Sequence, residues 1–251
     1  MQFRGLGTLG VGALAGICVL PAWGQAPRMP DSARRQDTIS VRELAIPLPA
    51  RENYARSRRE FLEEKNTESA ITHLRKAIKQ YPGYYEAYYL LGVALLELKR
   101  SEEAEAALQR SVSLSAEQFA PPLLALATLY GDQRRFAEAE PLAAQALDLD
   151  DSLWYARYEL ARARFSLGRA NEALPAARAV VLEQPDYPRG RLLLTLVLAQ
   201  LRKYDEAAVN LDAYLQLLPD APDRARMLQL RAELARAADA VETAAAAPPQ
   251  P

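Results

Sequence analysis

A short block of sequence comes round five times in this chain, and no other feature constrains its folding so tightly. The block runs Asn66-Thr67-Glu68-Ser69-Ala70, then Arg100-Ser101-Glu102-Glu103-Ala104, Arg135-Phe136-Ala137-Glu138-Ala139, Arg169-Ala170-Asn171-Glu172-Ala173 and Lys203-Tyr204-Asp205-Glu206-Ala207. Its closing alanines lie 34, 35, 34 and 34 residues apart. Alanine is common here, so one alanine column alone would carry little. The neighbouring columns carry the argument. Ser69 is succeeded by glutamate in the other four copies, and Asn66 by arginine three times and then lysine. Seven residues beyond the alanines stand Ala77, Ser111, Ala146, Val180 and Tyr214; five further on stand Pro82, Ala116, Asp151, Pro185 and Pro219. Upstream, Arg58, Gly92, Ala127, Ala161 and Thr195 form a mostly small column.

Each copy holds two helix-length apolar patterns, for example Tyr88, Leu91 and Leu95, then Ala104, Leu108 and Val112. Spacings of three and four place each set on one helical face. Turn signals at 98–101 and at Pro82-Gly83 separate them. Small residues such as Gly92 and Ala104 let paired helices approach closely. A single helix pair cannot bury its apolar face, so neighbours must stack over it.

A 34-residue period with a small residue early, alanine midway and proline near the end resembles the tetratricopeptide repeat. The resemblance covers residues 51–221. It implies an all-α, right-handed α-solenoid of about five helix-turn-helix repeats: 51–84, 85–119, 120–153, 154–187 and 188–221. Arg58, where a small residue is expected, makes the first copy an atypical capping repeat. The second copy holds one extra residue near Gln118-Phe119, before Pro121-Pro122. Pro222-Asp223 followed by Met227, Leu228, Leu230 and Leu234 reads as a capping helix over 222–240.

The ends differ in composition. Arg4 precedes an uncharged apolar stretch, Gly5 to Leu20, and Ala22 and Gly24 sit at the small-residue positions of a secretory cleavage site. Residues 1–24 are therefore expected to be a signal peptide, with the chain exported to the periplasm or secreted. An uncleaved anchor, or lipidation of Cys18, would instead tether it to the membrane; Ile17 departs from the small residue that a lipoprotein box wants before its cysteine. Residues 25–50, with Pro27, Pro30, Pro47 and Pro49, read as a disordered or extended linker. Residues 241–251 read as a disordered tail.

Several chemistries find no support. The formal charge of −1 offers no basic surface for nucleic acid. One cysteine, Cys18, and one histidine, His73, supply neither a disulfide framework nor a metal cage. Gly5-Leu6-Gly7-Thr8-Leu9-Gly10 has dinucleotide-binding spacing but lies in the signal segment without a preceding strand. Asp148, Asp150, Ser152 and Glu159 have calcium-loop spacing, yet Leu153 stands where the loop needs glycine. Asp151 or Ser152 is expected instead to cap the helix opening at Trp154. No catalytic residue, metal ligand or cofactor is expected, and His73 is expected to be a surface or packing residue.

What the resemblance implies is a binding surface. In repeats of this kind the first helix of each pair lines a concave groove that holds a protein or peptide partner. By position that groove takes Tyr89, Val93 and Leu96, then Leu124 and Thr128, then Tyr155, Tyr158, Arg162 and Phe165, and finally Leu192 and Leu196. Aromatic and arginine side chains dominate binding energy at interfaces. Several of the set have the alternative of serving the core, Leu192 among them, as does the neighbouring Tyr88. Ala55, Arg59 and Leu90 occupy places where the family's chaperone-tail binders carry a carboxylate clamp, so that clamp is absent. The rival readings are an accessory subunit of an envelope enzyme, or a carboxylate-only one, and a membrane-tethered structural spacer.

Overall fold

A computed structural model describes residues 45–246. Eleven helices appear among them, and no strand. They are α1 (Leu48–Leu62), α2 (Thr67–Gln80), α3 (Tyr85–Glu97), α4 (Ser101–Leu114), α5 (Ala120–Asp132), α6 (Phe136–Leu149), α7 (Trp154–Ser166), α8 (Ala170–Glu183), α9 (Pro188–Gln200), α10 (Tyr204–Leu217) and α11 (Arg224–Ala246). The chain divides into two compact units at Glu159 and Leu160, within α7. In the first unit α1 packs on α2, α3 on α4 and α5 on α6, and successive pairs stack. In the second, α9 packs on α8 and α10, and α10 on α11. The expected signal segment, Cys18, the glycine-rich motif and most of the expected linker lie outside the described residues.

The repeated columns are the contacts that hold each pair. Ala70, Ala104, Ala139, Ala173 and Ala207 are all at most 1% exposed. An ideal Cβ on Gly92 would stand 2.5 Å from Leu108 Cγ, so only glycine admits α4 this close to α3. Ser111 Oγ donates to the Tyr85 carbonyl at 2.8 Å, which satisfies a hydroxyl with no exposure. Arg58 is exposed, unlike its fellows in the small column.

The basic and glutamate columns pair with each other. Arg100 grips Glu103 through Nε and Nη2 at 2.7 and 2.9 Å, and Arg135 grips Glu138 at 2.8 Å twice. Arg169–Glu172 and Lys203–Glu206 repeat the arrangement at 3.4 and 3.5 Å. In the first copy Asn66 instead accepts a hydrogen bond from the Ser69 amide at 3.2 Å. Each acidic group sits in the first turn of a second helix, where the helix dipole favours it.

The turns inside the pairs share a backbone device that was not apparent in the sequence. Lys65, Lys99, Arg134, Gly168 and Arg202 all have φ between 56° and 79°, at the same place in each copy. Only one of them is the glycine that a left-handed cap favours. The extra residue of the second copy falls at 115–119, where Ala116 and Glu117 both adopt positive φ, at 49° and 61°.

Three local expectations need correction. α1 starts at Leu48, inside the expected linker, because Pro49 fits the first turn of a helix. α11 runs to Ala246 rather than 240: alanine is the best helix former, and no breaker precedes Pro248. Before α7 the flanking residue is Leu153, whose carbonyl accepts from the Arg157 amide at 3.3 Å, rather than Asp151 or Ser152. The Asp150 carboxylate takes both the Ser152 amide and hydroxyl, at 3.0 and 2.6 Å, in the turn ahead.

Candidate interaction surface

The first helices of the opening pairs bring aromatic side chains together in the N-terminal unit. Tyr89 meets Phe119 edge to face at 5.5 Å, and Tyr85 meets Phe119 at 5.1 Å. All three keep partial exposure, as does Val93 one turn along α3. Tyr54 of α1 packs on Tyr84 at 4.9 Å, and Tyr84 on Tyr81 at 6.0 Å. Burial pushes the Tyr89 hydroxyl up to about 12, with Tyr54 adding to the effect. Burial likewise raises Tyr54 to about 12, opposed by Arg58 and aided by Glu86. The two phenols, Glu86 and Arg58 thus share one electrostatic neighbourhood.

The other expected groove residues divide by accessibility. Leu96, Leu124, Thr128, Tyr155, Tyr158, Phe165 and Leu192 are buried, and each is at most 8% exposed. Arg162 and Leu196, with Tyr89 and Val93, remain partly exposed. Tyr155 and Tyr158 stack at 5.5 Å, with Trp154 against the edge of Tyr155 at 5.3 Å. They belong to the N-terminal unit, whereas Arg162 and Phe165 belong to the other. Tyr85 and Phe119 were not foreseen. Phe119 is carried against α3 by the five-residue turn, and the extra residue in the second copy was its only sequence signal.

His73 has more company than expected. The Asn53 amide donates to the Pro49 carbonyl at 2.9 Å and to Gln80 Oε1 at 3.1 Å, which turns its oxygen toward His73 Nδ1 at 2.9 Å. That network assigns the proton to Nδ1 and leaves Nε2 facing Glu60 Oε1 at 3.6 Å. The hydroxyl of the nearby helix residue Ser57 is turned away, donating to the Tyr54 carbonyl at 2.7 Å. Through the bond to Asn53, His73 ties α2 to α1. Among the described residues no group of three or more His, Cys, Asp or Glu is placed to hold a metal ion. No helix among them is long and apolar enough to cross a membrane.

Paired helices recurring at this period, with a buried alanine in every copy, define a helical-repeat protein. The profile of the tetratricopeptide repeat matches residues 61–127 and 132–197, more than half of the chain. The chain belongs to the tetratricopeptide repeat family, whose members bind peptide or protein partners. No curated protein sequence matches it. Its fold is similar to that of YrrB, a tetratricopeptide-repeat protein with an unusual peptide-binding site: 20% identity, TM-score 0.61, 73% of this chain and 91% of that one. It is also similar to pilF of Pseudomonas aeruginosa, at 21% identity and TM-score 0.63 over 78% and 87% of the two chains. MamA is similar at 18% identity and TM-score 0.59, over 71% and 94%.

Proposed function

We propose that this chain is a non-enzymatic scaffold of the cell envelope, holding a protein or peptide partner along the first-helix face of its N-terminal unit. The observation that carries this is the partly exposed cluster of Tyr85, Tyr89 and Phe119, with Val93 beside it. Large rings already ordered by mutual packing lose little entropy when a partner covers them, and such residues anchor interfaces. Export rests on the composition of residues 1–24, and the groove is taken from the repeat positions of Tyr89 and Val93.

The test is recovery of partners from envelope extract by the full chain and by a Tyr89→Ala, Val93→Asp, Phe119→Ala variant. Circular dichroism checks that both are helical. A partner held by the wild type and lost by the variant supports the reading; the same partners held by both would place binding elsewhere. Intact mass of the protein from fractionated cells reports on export, with loss of residues 1–24 expected. A mass that retains them would favour the tethered spacer.

A further inference from the structure

The chain carries a short sequence whose chemistry matches the ring cluster on α3. Pro27-Arg28-Met29-Pro30 sets two prolines three residues apart, ahead of the described residues. Proline fixes φ near −65°, so such a sequence favours the polyproline II helix, with three residues per turn and a rise of about 3.1 Å. Both prolines then fall on one edge, about 9 Å apart. Sequences with this spacing dock on surfaces lined by aromatic rings, because the helix is preformed and little entropy remains to be lost.

Tyr85, Tyr89 and Phe119 make such a surface. Phe119 meets Tyr85 at 5.1 Å and Tyr89 at 5.5 Å, which gives two adjoining ring contacts, and all three rings keep partial exposure. Val93 continues the strip one turn beyond Tyr89. From Tyr85 to Val93 the strip runs about 12 Å along α3, long enough for two prolines about 9 Å apart. Beside it stands Glu86, whose charge reaches Tyr54. Its carboxylate complements Arg28, which lies between the two prolines. Glu52 is exposed on the same face one repeat earlier.

We propose that residues 27–30 occupy this part of the chain's own groove, so that a partner must displace them to bind. The inference rests on the groove of the proposed function. The tether is long enough. Residues 31–44 join the segment to Ala45, and extended they span about 50 Å. The rings lie much closer than that: α1 begins at Leu48, and its Tyr54 packs at 4.9 Å on Tyr84, the residue before α3. A short tether holds its segment at a millimolar effective concentration, so a weak motif suffices. Pro248 and Pro251 repeat the spacing, but they follow the other compact unit, whereas Pro27 and Pro30 precede α1 of the unit that holds the rings.

The test titrates a fluorescently labelled peptide of residues 25–36 against the full chain and reads anisotropy. A segment engaged about nine-tenths of the time weakens an added competitor about tenfold. A Pro27→Ala, Pro30→Ala chain is therefore expected to bind the peptide about tenfold more tightly than the wild type. Adding Tyr89→Ala and Phe119→Ala to that chain is expected to abolish binding, with circular dichroism confirming the helices. Equal binding by the wild type and the proline variant, or none by the proline variant, would overturn the proposal. A wild-type dimer in sedimentation velocity that dissociates on changing the two prolines would also overturn it, by placing the segment in the groove of a second copy. Tighter binding on Pro248→Ala, Pro251→Ala instead would assign the groove to the tail. Recovery of partners from envelope extract reads the proposed function separately: a partner lost on altering Tyr89, Val93 and Phe119, with no effect of the prolines on peptide binding, keeps the groove and removes the self-contact.

Discussion

Lys99, Arg134 and Arg202 hold left-handed backbone angles, with φ of 59°, 62° and 59°, at the turn between the helices of their repeats. For an L-residue with a Cβ this conformation costs roughly 1–2 kcal/mol, while glycine adopts it freely. Glycine also loses about 0.5–1 kcal/mol more entropy on folding. The difference leaves each of Lys99→Gly, Arg134→Gly and Arg202→Gly stabilising by about 0.5–1 kcal/mol. All three side chains are exposed. The sites are about one repeat apart, so their effects should add to within a few tenths of a kcal/mol. The triple variant gains about 1.5–3 kcal/mol, which for a chain of this size raises Tm by about 3–12 °C. Gly168 supplies the converse. An added Cβ there would meet nothing within 4 Å, so Gly168→Ala isolates the backbone cost. By the same difference it should lose about 0.5–1 kcal/mol. Thermal melts followed by circular dichroism read all four. If the three glycines lower Tm, or Gly168→Ala leaves it unchanged, the turn is not strained and the reasoning fails.

Further expectations follow from the packing. Gly92→Ala drives a Cβ to within 2.5 Å of Leu108 Cγ and should cost about 1–3 kcal/mol in urea unfolding. Gly190→Ala, whose new atom would lie 2.9 Å from Val180 Cγ1, should cost less, and Gly83→Ala, with its nearest atom at 3.4 Å, should be close to neutral. Equal effects at the three sites would deny that close approach selects the glycine. Ala104→Leu overfills a site with no exposure and should cost about 1–3 kcal/mol by the same assay. Tyr54 and Tyr89 ionise near 12 when folded, against about 10 in the unfolded chain. Because the folded state holds these protons longer, their stabilising contribution is complete below pH 10 and falls as pH rises from 10 to 12. Absorbance titration at the phenolate band should show Tyr89→Phe removing a late-ionising group; loss of an ordinary one would refute the assignment.

The repeat was legible because its columns are packing contacts. Every Ala70-type position had to be small, and the sequence said so. The left-handed turns were hidden by residue choice. Lysine and arginine at 65, 99, 134 and 202 look like surface charge, and only Gly168 has the composition that signals such a cap. Accessibility along the first helices was hidden for another reason. Apolar periodicity separates a buried side from a wet one, but α5 is buried at Leu123, Leu124, Ala125, Leu126 and Ala127 alike. A helix apolar on all sides gives no phase from which to choose Leu124 as groove or core. Phe119 was missed because it belongs to no helix. Its role comes from the length of a turn.

That turn separates two kinds of change. Residues 115–119 lie between helices, and Ala116, Glu117 and Gln118 are all exposed. An insertion or substitution there alters where an aromatic ring is presented while the alanine and glycine crossings of the pairs stay as they are. In engineering terms, the segment is a socket: loops of other lengths could be grafted between Leu114 and Ala120 to retune what the surface holds, and the helices on either side would not have to be repacked.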